Sequence, residues 1–275
     1  MKRLWQVVWF ELQNLFCRRA VWAAGISYAC TAAAICAFRE LRTAYFSDIE
    51  CVPVMLFSQL APLFLVVMLL CALSDAFAGE RQRAAEQLCV VCRAGWCGRG
   101  AAKLLATLLL CAAVSLFAGA VSCGFPFAAG LLNAHLPLSG IGGELTLRPV
   151  WTVGQHCLFS MLSLFLGCMH AALLILFCSR SAKRGIDAAA MGSAVLLLEW
   201  LFHRFSFPAP LRTMNLWMFF APYEFFAADP FGPGFGPEVF QTGPLDGPLG
   251  KLMLLTAVFL PVSIAAVYGC LKRAE

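Results

Sequence analysis

The chain has 275 residues, of which 61% are hydrophobic and only 13% charged, against about 25% charged in a soluble domain. No water-soluble core of this length needs so much apolar surface, which excludes an ordinary soluble enzyme or binding module. The formal charge of +5 implies no nucleic-acid partner, because the basic bias of one membrane face accounts for it.

In chain order, residues 1–19 come first. The start is basic, but Glu11, Gln13, Asn14, Arg18 and Arg19 interrupt the apolar run, and no small-residue cleavage site follows. The segment is therefore expected to remain on the chain rather than act as a cleaved signal. Trp5, Val8, Trp9, Leu12, Leu15 and Phe16 recur at helical spacing, with Gln6, Gln13 and Asn14 elsewhere on the wheel. That pattern predicts an amphipathic helix lying in the membrane interface; the alternative is an early extension of the first span.

Six apolar stretches follow, at 21–38, 52–73, 104–130, 151–178, 186–203 and 251–271. Each is close to or above the ~20 residues that a helix needs to cross the hydrocarbon core. Runs such as 63–73 do not alternate, as the ~10-residue strands of a β-barrel would. Helices also satisfy their own backbone in lipid. The fold class is an all-α integral membrane protein with six transmembrane helices in a single domain, 1–275.

Fourteen of the twenty basic residues collect on one side of these spans: Lys2, Arg3, Arg18, Arg19, five from Arg81 to Lys103, Arg180, Lys183, Arg184, Lys272 and Arg273. Both termini, the segment 74–103 and the loop 179–185 are accordingly expected in the cytoplasm. Segment 74–103 continues the second span as a polar helix, with Glu80, Arg83 and Glu86 one turn apart and able to pair. Three glycines between Arg93 and Gly100 then predict a turn before Lys103 opens the third span. The piece is too short for a core of its own.

The fourteen cysteines show no disulfide framework. Cys30, Cys36, Cys71, Cys111, Cys168 and Cys178 fall inside spans as small apolar fillers. Cys51 and Cys123 lie near span ends. Cys89 and Cys92, with Cys97 behind them, form a lone C-x-x-C, read as reduced cytoplasmic thiols rather than a metal or redox site.

On the opposite side, 131–149 is a loop bearing Gly and Pro. Residues 204–250 form a longer Pro/Gly-rich outer region whose density of those residues forbids a spanning helix. Within it, 211–228 is apolar but interrupted by Pro222; it is read as short re-entrant or interfacial helices before the last span. A seventh span is the alternative, against the charge bias.

No Walker A loop is present; the nearest approach, 95–103, lacks the Gly-Lys-Ser/Thr ending. Glu199 and His203 stand one turn apart in the fifth span at metal-ligand spacing. They form a candidate intramembrane polar site, to which His156 and His170 could contribute. Neither H-E-x-x-H nor a G-x-S-x-G serine arrangement accompanies them. The plainer reading pairs them with each other, Arg204 or interfacial water.

At 74–103 the chain resembles the permease subunits of ABC transporters of the type-2 exporter class. In that family an acidic–basic pair follows the second span, then a short helix ending in Glu-x-Leu, a turn, and Gly-Lys opening the third span. The counterparts are Glu80-Arg81, Glu86-Gln87-Leu88, the turn from Arg93 to Trp96, and Lys103. Ala84-Ala85 and Cys92 stand where the family often has Gly-Thr and Pro, and the turn carries one extra residue. The layout of spans matches along the whole chain.

The resemblance implies a coupling helix within 80–92, seated on a separate ATP-binding subunit through Glu80, Arg81, Arg83, Glu86 and Leu88. Arg180, Lys183 and Arg184 would form a second contact. It implies no cofactor on this chain, ATP being bound by the partner. It also implies a homodimer, or a heterodimer with a sister permease, in a bacterial plasma membrane. The rival readings are an intramembrane metal-dependent hydrolase built on Glu199 and His203, and a membrane-anchored regulatory protein.

Overall fold

The structure, a computed structural model, describes residues 2–38, 52–82, 95–135, 151–205, 216–222 and 248–271. Helix α1 (Lys2–Phe16) is amphipathic, as its spacing predicts, but its apolar residues divide between two faces. Val8, Glu11 and Leu15, one turn apart, are buried against the bundle, whereas Trp5, Trp9 and Phe10 are exposed. Arg18 adopts an extended conformation and separates α1 from α2 (Arg19–Ala37), so α1 is not an extension of the first span. The Trp22 indole N–H donates to the Phe16 carbonyl at 2.7 Å, satisfying one of the orphan carbonyls at the end of α1.

The second span starts as α3 (Val52–Met55), widens into a π-helical turn at Leu56–Leu60 and continues as α4 (Ala61–Leu73). Pro62 explains the widening. It has no N–H to donate one turn back and its ring would crowd the Ser58 carbonyl, so the chain closes an i→i+5 turn there instead. Short helix α5 (Ala78–Gln82) follows after four turn residues.

Helix α6 (Gly95–Ala128) is the longest. The turn expected between Arg93 and Gly100 is thus helix from Gly95 onward. Gly100 serves another purpose: a Cβ there would meet the Cys270 carbonyl at 3.1 Å, so glycine lets two helix ends approach. Helix α6 ends in a Schellman cap. The Leu131 N–H bonds to the Pro126 carbonyl, Gly130 N–H bonds to that of Phe127, and Gly130 takes a left-handed φ of 69°, which glycine adopts without strain.

Helix α7 (Val153–Ser181) opens with a capping box in which Thr152 and Gln155 bond each other's backbone N–H groups. Helices α8 (Gly185–Arg204) and α9 (Pro248–Leu271) complete the set. Among the described residues six helices are long and apolar enough to cross a membrane: Arg19–Ala37, Val52–Glu80, Arg99–Ala128, Val153–Ser181, Gly185–His203 and Leu249–Leu271. They coincide with the six stretches expected from sequence.

Helix α7 is the centre of the bundle. It packs against α4, α6, α8, α9 and a 3-10 turn at Leu216–Phe220. Its buried positions include Ser160, Ser163, Gly167, Cys168, Ala171, Ala172 and Ser179. In lipid there is no hydrophobic drive between helices, and small side chains allow the close backbone approach that dispersion and polar bonds require. The 3-10 turn uses the tightest of these places. A Cβ on Gly167, the middle residue of α7, would lie 2.7 Å from the Phe219 Cβ. Phe219 and Phe220 are fully buried there, and the Ser163 hydroxyl donates to the Phe219 carbonyl at 2.8 Å.

Gly167→Val is expected to overpack this contact and destabilise the protein by about 1–3 kcal/mol, lowering the midpoint of thermal unfolding in detergent. Gly124, with nothing within 4 Å of its Cβ direction, should accept alanine with no loss.

Candidate functional site

Most charged side chains among the described residues lie at one end, hereafter the basic face, where α1, α5, the start of α6 and the turn between α7 and α8 meet. The segment that leaves the second span organises them. After α4 ends at Leu73, the chain turns at Ser74–Phe77, so the first N–H groups of α5 point out of the helix without intrahelical acceptors. The Ser179 hydroxyl oxygen, fully buried at the end of α7, accepts from Phe77 N–H at 3.0 Å and Ala78 N–H at 3.2 Å. A side chain of the fourth span thus caps the helix that follows the second.

Asp75 sits at the same turn. Its carboxylate lies 3.7 Å from the Arg18 guanidinium, which also donates to the Cys71 carbonyl at 3.1 Å. Two glycines shelter that carboxylate: a Cβ on Gly79 or on Gly185 would collide with it. Gly185 opens α8, so the α1–α2 joint, the end of the second span and the α7–α8 turn share one acidic side chain.

Glu80, in the first turn of α5, is the second node. Its carboxylate is 2.6 Å from the Arg99 guanidinium and 2.7 Å from the Lys103 ammonium. Lys103, only 4% exposed, also donates to the Ala76 carbonyl and lies 4.7 Å above the Phe77 ring. An ammonium this deep requires such company, since an uncompensated buried charge costs several kcal/mol. Arg99 lies 3.7 Å from Glu11 as well, tying α1 to α6. Between α1, α5 and α6 these groups border a cavity of about 610 Å³ that also reaches Phe10, Asn14, Cys17, Ala106 and Thr107. Chemically the cluster holds matched opposite charges around a polar recess. It fixes the spacing of four helix ends and yields only when an ion pair breaks.

Of the residues expected to face a partner, Glu80 is engaged within the chain. Arg81 belongs to α5, while Arg83, Glu86 and Leu88 lie outside the described residues, as do Cys89 and Cys92. Arg180 is buried in the last turn of α7, whereas Lys183 and Arg184 are exposed in the turn before α8. Sequence reasoning missed Glu11, Asp75 and Arg99 as members of this cluster. The signal for Glu11 was available: it falls between Val8 and Leu15 on the helix wheel, where a carboxylate implies a cation opposite.

The Glu199 and His203 pair lies toward the other end of the bundle. Glu199 accepts the Leu216 backbone N–H at 3.0 Å, capping the first orphan donor of the 3-10 turn. His203 is buried. His156 bonds Ser160 on its own helix at 3.2 Å. His170 bonds Ser263 of α9 at 2.7 Å and stacks between Phe219 and Phe259. Among the described residues no three His, Cys, Asp or Glu side chains gather at metal-binding distance.

Glu80→Gln should cost about 1.5–3 kcal/mol, because it leaves Lys103 buried beside an amide. Adding Lys103→Met should recover part of that loss in a double-mutant cycle of thermal unfolding. A cost near the ~0.5 kcal/mol of an exposed pair would mean that the node carries no structural role. Gly185→Ala should also destabilise, by displacing Asp75 from Arg18.

No protein-family model matches this chain, and no curated protein matches it.

Proposed function

We propose that this protein is the membrane-spanning permease subunit of an ATP-driven exporter of the ABC type-2 class, with its basic face in the cytoplasm of a plasma membrane. The observation that carries the reading is the mechanical linkage of the segment after the second span. Its first helix, α5, is held by Glu80 to Arg99 and Lys103, by Ser179 to α7, and through Asp75 to Arg18. A helix fastened at so many points transmits a push from outside into the second, third and fourth spans together.

In this reading the chain binds no nucleotide, and a separate ATP-binding subunit docks on the segment beyond α5. Residues Arg81, Arg83, Glu86 and Leu88 would meet that subunit, with Lys183 and Arg184 as a flanking contact. Glu80 and Arg180, turned inward, would anchor the docking segment rather than touch the partner. Two permease chains, alike or sister, would enclose the path. The 3-10 turn beside Gly167 supports a re-entrant role for the apolar part of the outer region, because Phe219 reaches the level of the middle of α7. Apolar spans suit an amphipathic or lipid-like cargo.

Purification of the tagged protein from native membranes in mild detergent should bring down, in near-stoichiometric amount, a companion carrying a Walker A motif. Repeated purification without any ATPase, across several detergents, would remove the basis of the proposal. With the companion in hand, Glu86→Lys should abolish transport while leaving membrane insertion intact; unchanged transport would count against a coupling role for this segment.

A further inference from the structure

The cavity of about 610 Å³ at the basic face lies at the level where the spans end. Its lining comes from α1, from Asp75 to Glu80 at the end of the second span, and from Arg99 to Thr107 at the start of the third. In a bilayer that level holds the lipid headgroups. Phe10 lines the cavity and is also exposed on α1, beside Trp5 and Trp9. Tryptophan concentrates at the membrane–water interface, so the cavity borders a surface suited to that layer.

Three carboxylates, of Glu11, Asp75 and Glu80, and three cations, of Arg18, Arg99 and Lys103, line the cavity, which thus carries no net formal charge. A lone anion or cation gains little overall from such a lining. A molecule bearing both charges meets an opposite one at each end. The ion pairs are of two kinds. Glu80 holds Arg99 and Lys103 at 2.6 and 2.7 Å, the length of closed, charge-assisted hydrogen bonds. Arg18 lies 3.7 Å from Asp75, and Arg99 Nε lies 3.7 Å from Glu11, beyond hydrogen-bond distance. The side chains of Arg18 and Asp75 are also 28% and 32% exposed. These two pairs attract without closing, which leaves their directional bonding to a third party.

We infer that this cavity binds the phosphate–ammonium headgroup of a phospholipid with a primary amine. The phosphate would meet Arg18 and Arg99, and the ammonium would meet Glu11 and Asp75. The arginine fork matches phosphate oxygens in pairs. A primary ammonium donates three hydrogen bonds, which the carboxylates accept. A trimethylammonium donates none and is held over aromatic faces instead. The fitting lipid is therefore phosphatidylethanolamine, ahead of phosphatidylcholine and of the anionic phosphatidylglycerol. The volume falls within the roughly 300–1,000 Å³ of small-molecule sites, and Phe10, Leu15 and Ala106 give the lining an apolar part for the start of the acyl chains. Such binding requires no ATP-binding partner, so it stands or falls apart from the permease reading.

The test uses the full-length protein, purified in dodecyl maltoside and washed free of lipid. It is mixed with phosphatidylethanolamine, phosphatidylcholine and phosphatidylglycerol of identical acyl chains, and bound lipid is read by native mass spectrometry. Phosphatidylethanolamine should be retained about tenfold over either competitor; equal retention of the three would overturn the inference. A phosphatidylethanolamine with a photoactivatable diazirine beside its glycerol should crosslink within residues 10–18 and 99–107. Crosslinks confined to α8 and α9 would mark ordinary lipid contact and count equally against the site. Soluble glycerophosphoethanolamine at the same concentration should leave the lipid in place. Its displacing the lipid would assign the cavity to a soluble phosphoamine and overturn the lipid as ligand. Glu11→Gln should cut the selectivity about tenfold, with Gly124→Ala as the unaffected control. Retention and crosslinks of the wild-type protein decide the matter even if Glu11→Gln fails to accumulate.

Discussion

Close approach to α7 is the constraint on which the rest of this bundle depends. Within a bilayer, apolar side chains gain nothing by leaving lipid for protein, so helices associate only where their surfaces fit closely or exchange hydrogen bonds. Helix α7 offers both on several sides at once. Gly167 admits Phe219 and Ser163 bonds the carbonyl of that residue; His170 reaches Ser263 of α9; Ser179 caps α5. The 3-10 turn, α9 and α5 are thus attached by a small-residue contact, an imidazole and a hydroxyl respectively. Helices α8 and α9, the least buried of the six spans, keep Leu197, Leu198, Leu260, Val262 and Ile264 on the surface, as lipid-facing helices do.

The charged cluster at the basic face is the second organising element, and it follows from where the polar residues enter the apolar bundle. Lys103 stands near the start of the third span and is buried, so it requires a carboxylate; Glu80 reaches it from α5. Arg99, one turn earlier, shares that carboxylate and adds Glu11. Asp75 adds Arg18 and is cradled by Gly79 and Gly185. The result joins α1, the ends of neighbouring spans and the α7–α8 turn through mutually compensated charges. Buried pairs of this kind contribute little net stability compared with apolar packing, but breaking one is costly.

The two ends of the molecule therefore differ in what holds them. At the basic face the helix ends are tied by ions and by caps. Toward the other end the ties are the Tyr28–Ser122 bond at 2.6 Å and the Glu199 cap on the 3-10 turn.

By itself the sequence determined the helical class, the number and limits of the spans, and the amphipathic first helix. Those features follow from hydropathy summed over some twenty residues, a local property that lipid enforces. Caps were equally legible, as in Thr152 with Gln155. The composition of the charged cluster was not. Glu80 read as a surface residue of a polar helix, yet its partners Arg99 and Lys103 come from the next span, where Arg99 also meets Glu11 of the first helix. Gly100 read as part of a turn, yet it lies in a helix where the last span crosses closely. The roles of Gly167 and Gly185 likewise depend on which residue of another element stands opposite. Only tertiary packing decides that, because the register between helices is set by side-chain fit over their whole length and leaves no local trace in the chain.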